Sequence, residues 1–165
     1  MAATTHTRAV HAFCVITMLG CGSGPRTSDD ADLFDSPRVE TEVRAMLEAY
    51  GDAMRHDGLL GEFPFLDTSD AFFWVPPGYA GPIGIDSVHA VLRRNAPGLR
   101  HIDPRWNELR IEPLGERHAL YTGSLRLESI SMKGDTSIIR LLETGLVVKR
   151  PDGWKLLGGP SALAP

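Results

Sequence analysis

Apolar residues recur at helical spacing once the chain passes residue 36. Val39, Val43, Met46, Leu47, Tyr50 and Met54 fall on one face, and Arg38, Glu42, Arg44, Glu48, Asp52 and Arg55 populate the rest. Ser36-Pro37 predicts where this helix starts, with Ser as N-cap and Pro at the first helical position, where a missing N–H costs nothing. His56-Asp57-Gly58 predicts its end, with Gly58 as C-cap. Leu59 to Phe63 offers one more helical turn before Pro64. Residues 70–75 form a compact β-prone run closed by Pro76-Pro77-Gly78. A second helix is predicted from Asp86 or Ser87 through Val88, Val91 and Leu92 to Arg94, ended by Asn95-Ala96-Pro97-Gly98. Residues 99–105 read as a charged loop. From Trp106 the pattern predicts four long strands, WNELRIEPL, HALYTGSLRLESI, TSIIRLLETGLVVKR and WKLLGGPSA, separated by GER, SMKGD and PDG. Helices followed by an antiparallel meander predict an α+β class.

Alternation assigns faces to these strands. Ala119, Tyr121, Gly123, Leu125 and Leu127 make a core face, and Leu120, Thr122, Ser124, Arg126 and Glu128 a wetter one. Gly123 and Gly145 stand in mid-strand, where glycine often marks a bulge or sharp bend. In the third long strand Ile138, Arg140, Leu142, Thr144, Leu146 and Val148 share one face, and Ile139, Leu141, Glu143, Gly145 and Val147 the other. Both faces are largely apolar, as suits a central strand with one side covered and the other free for a partner or a second copy. Arg140 and Glu143 therefore stand in apolar company, where an unpaired charge is costly. Either one points into a polar pocket, or each bonds an exposed neighbour near the edge.

The first part of the chain changes the picture from a bare domain to an exported one. Residues 1–8 carry one positive charge and no acid, and AVHAFCVITML then supplies a short apolar core, too short to span a bilayer. It ends in Met18-Leu19-Gly20-Cys21, which resembles the lipobox of bacterial lipoproteins. That resemblance implies cleavage after residue 20 and acylation of Cys21, hence a lipid anchor at the bacterial cell envelope; a plain signal peptide is the alternative. Residues 21–36, rich in Gly, Ser and Asp, read as a flexible tether, and 37–165 as the domain. Cys14 and Cys21 both lie in the leader region, so no disulfide or CxxC metal site is expected in the domain. A net charge of −4 argues against a nucleic-acid partner, which needs clustered Lys and Arg.

The end of the chain reads Val147-Val148-Lys149-Arg150-Pro151-Asp152-Gly153-Trp154-Lys155-Leu156, with Pro151-Asp152-Gly153 as a hairpin turn. It closely resembles the end of SnoaL-like domains of the NTF2-like superfamily. With the helices and meander upstream, the likeness covers about residues 37–162. It implies a cone-shaped fold, with N-terminal helices packed on a strongly curved antiparallel sheet around a cavity. Homodimers through the outer sheet face are common in the superfamily, so one is expected here. In that family the first helix lies across the concave face, so Tyr50 either projects into the pocket or is a core tyrosine with its hydroxyl bonded locally.

Alternation and loop position give the remaining candidates: Tyr50, Trp74, Tyr121 and Arg140 for ligand binding, and His101 with Asp103 for proton transfer. The resemblance puts residues 99–105 at the pocket mouth, where a carboxylate orienting a neutral His makes a titrating pair; the alternative is a merely solvated loop. No phosphate-binding Gly loop, HExxH or catalytic Ser motif occurs, and the six His residues show no metal-ligand spacing, so no metal and no cofactor are expected. The superfamily's enzymes, among them ketosteroid isomerase, scytalone dehydratase and the SnoaL cyclase, set a carboxylate or His in an apolar cone. None of their catalytic acids maps onto a motif here. Where the family commonly places one or two His after the Trp, this chain has Gly158-Gly159-Pro160 before Ser161. The sequence therefore favours an anchored domain that binds a small, mostly apolar molecule or a protein partner without chemistry. The alternative is an isomerase, dehydratase or hydrolase using acid–base chemistry in the cone.

Overall fold

The first helix, α1, runs Ser36–Asp57, and its buried residues Val39, Val43, Met46, Leu47 and Met54 are the stripe that periodicity predicts. The computed structural model describes residues 34–165, so the leader, the lipobox at Cys21 and most of the tether lie outside the described residues. The N-cap is Asp35, not Ser36: the Asp35 carboxylate accepts the Arg38 N–H at 2.9 Å, and Ser36 is already helical. A carboxylate one residue upstream reaches the third orphan N–H and also suits the positive end of the helix dipole. Gly58 ends the helix as expected, at φ 69°.

The chain continues as a 3-10 segment, Gly58–Phe65, longer than one turn and with Pro64 inside it. Gly61 lets this segment lie directly against α1, because a Cβ there would fall on the Ala53 carbonyl. Strand β1 is Phe73–Val75, helix α2 is Ile85–Asn95, and a 3-10 turn at Ala96–Gly98 leads into the long strands. These are β2 (Leu99–Gly115), β3 (His118–Ser131), β4 (Thr136–Arg150) and β5 (Gly153–Leu163). Sheet order is β1-β5-β4-β3-β2, with β1 parallel to β5 and the other pairs antiparallel.

Residues 99–105 are thus strand, not loop. His101 pairs with Ile130, Asp103 with Glu128 and Arg105 with Arg126. The true pattern alternates: Ile102 and Pro104 are buried, while His101 and Arg105 are exposed. Pro104 masks it in the sequence, yet β2 is an edge strand, where a missing N–H is tolerated. Gly123 does mark a bend. It pairs with Leu109, one position past the register shift between Trp106 and Glu108, and a Cβ there would collide with the Glu108 carbonyl.

The core forms where the α1 stripe meets Ile111, Ala119, Tyr121, Val147, Trp154 and Leu156 on the concave face of the sheet. A polar pin fixes α1 to that face. The Glu42 carboxylate accepts from Lys149 Nζ at 2.6 Å, Trp154 Nε1 at 2.9 Å and Arg38 Nη1 at 2.9 Å. The Lys149 hydrogen bond, then that of Trp154, hold Glu42 at about 2, down from 4.5. Its contribution is complete above the unfolded value near 4.5 and is lost as pH falls through about 2. Glu42→Gln is therefore expected to cost about 1–2 kcal/mol at neutral pH, allowing for partial solvent screening, and progressively less in acid. Urea melts at pH 7 and pH 3 check this.

A second pin lies at the far end of the 3-10 segment. Asp67, 4% exposed, takes two hydrogen bonds from Arg150, at 2.7 and 2.9 Å, and one from the Ser69 hydroxyl. Its N–H donates to Leu156 O at 2.8 Å. Together these contacts seat the segment against β4 and β5.

Candidate functional site

A cavity of about 70 Å³ lies where α1, the 3-10 segment, β1, α2, β4 and β5 converge. One water needs about 10–15 Å³ by this measure, so the space holds roughly five. Leu66, Phe72, Val88 and Leu156 give it apolar walls, and Gly158 and Gly159 bring the β5 backbone close. Its polar groups are Tyr50, Glu62, Trp74, Glu143 and Ser161; among the described residues no Arg, Lys or His lines it.

These groups form two short chains. On one side the Tyr50 hydroxyl donates to Glu62 Oε2 at 2.9 Å. On the other, Trp74 Nε1–H donates to Ser161 Oγ at 3.1 Å, and the Ser161 hydroxyl donates to Glu143 Oε1 at 3.3 Å. Local structure explains how each arrives. Tyr50 sits near the last turns of α1, and Glu62 is carried inward by the 3-10 segment that Gly61 docks on α1. Trp74 is fixed in β1 by backbone bonds to Ile83 in both directions, at 2.9 and 2.8 Å. Glu143 lies on the concave face of β4 with Leu141, Gly145 and Val147, and Ser161 opposes it in β5.

Burial decides the electrostatics. It pushes Glu62 from 4.5 up to about 7, opposed by the Tyr50 hydrogen bond and reinforced by the Glu143 charge. It also pushes Glu143 from 4.5 up to about 7, opposed by the Ser161 hydrogen bond. Burial, with the nearby carboxylates, raises the phenols of Tyr50 and Tyr121 well above 10.0, so both stay protonated donors. Two carboxyls that gain and lose protons near neutral pH thus face one small apolar space, a setting suited to general acid–base work.

The residues singled out from the sequence divide between this cavity and the rest of the surface. Tyr50 and Trp74 line it. Tyr121 is buried behind it, its ring 2.5 Å from where a Gly145 Cβ would be and edge-on to Trp106 at 5.8 Å. Gly145 thus makes room for that ring. Arg140 is exposed on the opposite, outer face of β4. Of the two charges in apolar company, Glu143 is the one that points inward. His101 is exposed on β2, and Asp103 is taken by Arg105 at 2.8 Å and Arg55 at 3.5 Å. His101 and Asp103 share one face of β2, two residues apart, but the Asp103 carboxylate is held by Arg105 and Arg55, and the two form no hydrogen-bonded pair. Glu62, Phe72 and Ser161 were not foreseen; the one signal for Glu62 is a lone charge within the apolar run GLLGEFPF. Among the described residues no cluster has a metal-binding arrangement, and no helix is long and apolar enough to cross a membrane.

No protein-family model matches the sequence, and no curated protein does either. Solved structures do match. A candidate dehydratase of the NTF2-like family from Streptomyces avermitilis superposes with TM-score 0.64 at 18% identity, over 79% of this chain and 99% of that one. A candidate scytalone dehydratase from Novosphingobium aromaticivorans gives 0.67 at 13%, over 76% and 84%. An NTF2-like superfamily protein from Salmonella enterica gives 0.66 at 12%, over 78% and 93%. Identities this low speak to architecture alone, and on that the geometry and the likenesses agree: the chain has the NTF2-like cone fold, two helices packed on a curved five-stranded mixed sheet.

Proposed function

We propose that this domain is an acid–base enzyme of isomerase or dehydratase type, acting on a small molecule enclosed with Glu62 and Glu143. The observation that carries it is the pair of half-buried carboxyls lining one cavity, with no cation among the described residues that line it. Near neutral pH such a pair holds about one proton between its two members, because ionising both puts like charges in an apolar space. The ionised carboxylate removes a proton from a carbon next to a carbonyl or hydroxyl. The protonated one delivers a proton to oxygen. Isomerisation returns the substrate atoms rearranged, dehydration releases water, and in both the pair ends with the single proton it began with. Tyr50 and Ser161 hold the two carboxyls in place, each donating to one oxygen and leaving the other without a hydrogen-bond partner among the described residues. The candidate dehydratases among the structural neighbours support the same class. Binding without chemistry, which the sequence favours, leaves two costly half-buried carboxyls without a task.

The test needs no named substrate. Small hydroxycarbonyl compounds are incubated with the protein in heavy water, and deuterium uptake at carbon is followed by proton NMR. Uptake is expected to peak near pH 7, with a bell-shaped profile, and to fall at least about a hundredfold in Glu62→Gln and in Glu143→Gln. Uptake that is unchanged in both variants contradicts the proposal.

The leader supports a location. The lipobox-like Met18-Leu19-Gly20-Cys21 supports an envelope location, on a lipid carried by Cys21 with the residues between it and α1 as tether. Intact mass of protein extracted from bacterial membranes reads this directly: a diacylated or triacylated chain starting at Cys21 is expected, and an unmodified chain starting at Met1 contradicts it. Exposed Ile138 and Leu142 on the outer face of β4 support the homodimer that the sequence leads one to expect.

A further inference from the structure

The charged groups that line the cavity among the described residues are carboxyls alone, one on each side. Tyr50 occupies Glu62 Oε2 and Ser161 occupies Glu143 Oε1, and the second oxygen of each carboxyl has no hydrogen-bond partner among the described residues. Both residues line the same half-open cavity, so each leaves one unfilled acceptor available beside it. The rings of Tyr50, Phe72 and Trp74 bound that space as well. Acceptors that carry or gain negative charge, aromatic walls and no resident cation together define the complement of a ligand: hydrogen-bond donors on a small positive centre with an apolar remainder.

We propose that the cavity takes a substrate bearing a small organic ammonium group, an aliphatic amine of about five heavy atoms, seated between the free oxygens of Glu62 and Glu143 and the aromatic walls. The inference deepens the acid–base reading of this cavity and rests on it. An ammonium offers three N–H donors, enough for both free oxygens and one further contact. A carboxylate or phosphate ligand meets like charge in the same place. A neutral alcohol satisfies one acceptor at most from its single O–H and leaves the other unbonded.

The amine also has a signature that other ligands lack. It binds the pair with one carboxyl ionised, so it displaces the second proton when it enters a doubly protonated site and leaves one proton for delivery to the substrate. The titratable groups facing the pair are Tyr50 from α1 and Tyr121 from β3, both held protonated by burial; α2 contributes Val88 to the lining, while His89 stacks on Phe63 at 4.3 Å and is not part of it. Proton release near neutral pH therefore reports on Glu62 and Glu143.

The experiment is a titration of the full chain with n-butylammonium chloride, 1-butanol and sodium propionate, each of five heavy atoms, followed through the Trp74 indole N–H resonance. Calorimetry in buffers of different ionisation enthalpy counts the protons. The amine is expected to saturate and to bind at least about tenfold more tightly than the alcohol, with propionate leaving the resonance unmoved. Amine affinity is expected to rise up to about tenfold per pH unit between pH 5 and pH 7, with release of about one proton at pH 6. Glu62→Gln and Glu143→Gln are each expected to weaken it by about tenfold or more. An alcohol that binds as tightly as the amine, or an amine that does not bind at pH 8, overturns the proposal. Infrared spectra of the free protein separate the two readings. A neutral carboxyl band at pH 6 without amine binding removes the substrate class and leaves the acid–base reading standing; no such band removes the acid–base reading itself.

Discussion

A Glu143→Gln variant is expected to be more stable than the native protein above pH 7, by about 2 kcal/mol, while losing proton-transfer activity. Glu143 titrates at about 7 in the fold and near 4.5 once unfolded. Between those values the folded chain holds the extra proton, so stability falls as pH rises through the window and levels off above about 7. A shift of that size corresponds to about 3 kcal/mol, of which one substitution recovers part, because Glu62 remains. Gln keeps the volume and an oxygen that accepts the Ser161 hydroxyl, so no cavity opens. At pH 5 the two proteins are expected to differ little. Urea melts at pH 5 and pH 8.5 give the comparison, and a variant less stable at pH 8.5 contradicts the origin assigned to the raised titration. A residue whose removal stabilises the fold but abolishes activity serves function at the expense of stability.

Gly158→Ala is expected to lower stability by about 3 kcal/mol or more. Gly158 has φ 143°, a conformation that side chains rarely adopt, and its Cβ would fall on the Phe73 carbonyl. Phe73 is the residue with which Gly158 pairs across β1 and β5. Alanine therefore cannot be accommodated by turning a flexible neighbour; β1 must move away. Trp74, the next residue in β1, then loses its bond to Ser161, and the cavity opens on that side. A fall in melting temperature of about 10 °C with a red-shifted tryptophan emission is expected. Gly78→Ala is the control. Gly78 also has positive φ, 82°, but nothing lies within reach of its Cβ, so the cost is conformational alone, about 1–2 kcal/mol. Equal losses in the two variants would mean that close approach to Phe73 contributes nothing.

Much of the architecture was legible because burial imposes a period. The α1 stripe, the Gly58 stop and the turns at 151–153 each rest on a few neighbouring residues, and each is where the pattern places it. Residues 99–105 were misread because one proline and four charged or titratable side chains mimic a loop, whereas the partner that makes them a strand, β3, lies more than twenty residues downstream. The site was half legible. Glu143 stood out as a charge among apolar neighbours, and the face it shares with Val147 is the concave one; alternation alone did not say which face of β4 is covered. Glu62 was hidden for a different reason. Its direction depends on a 3-10 segment that Gly61 seats on α1 and that Asp67 ties to Arg150, eighty residues away. No local pattern encodes such a contact. His101 and Asp103 looked like a pair because near numbers suggest proximity, yet Asp103 is held by Arg105 and Arg55 while His101 stays exposed.

The most direct test of the account is the titration of the two cavity carboxyls themselves, by carbon-13 NMR of glutamate-labelled protein with Glu62→Gln and Glu143→Gln as assignments. Both are expected to titrate near pH 7 in the native protein, and each to titrate lower once the other is neutral. Titration of both below pH 5 would mean that the cavity carboxyls are ordinary solvated acids, and the acid–base reading would fall with them.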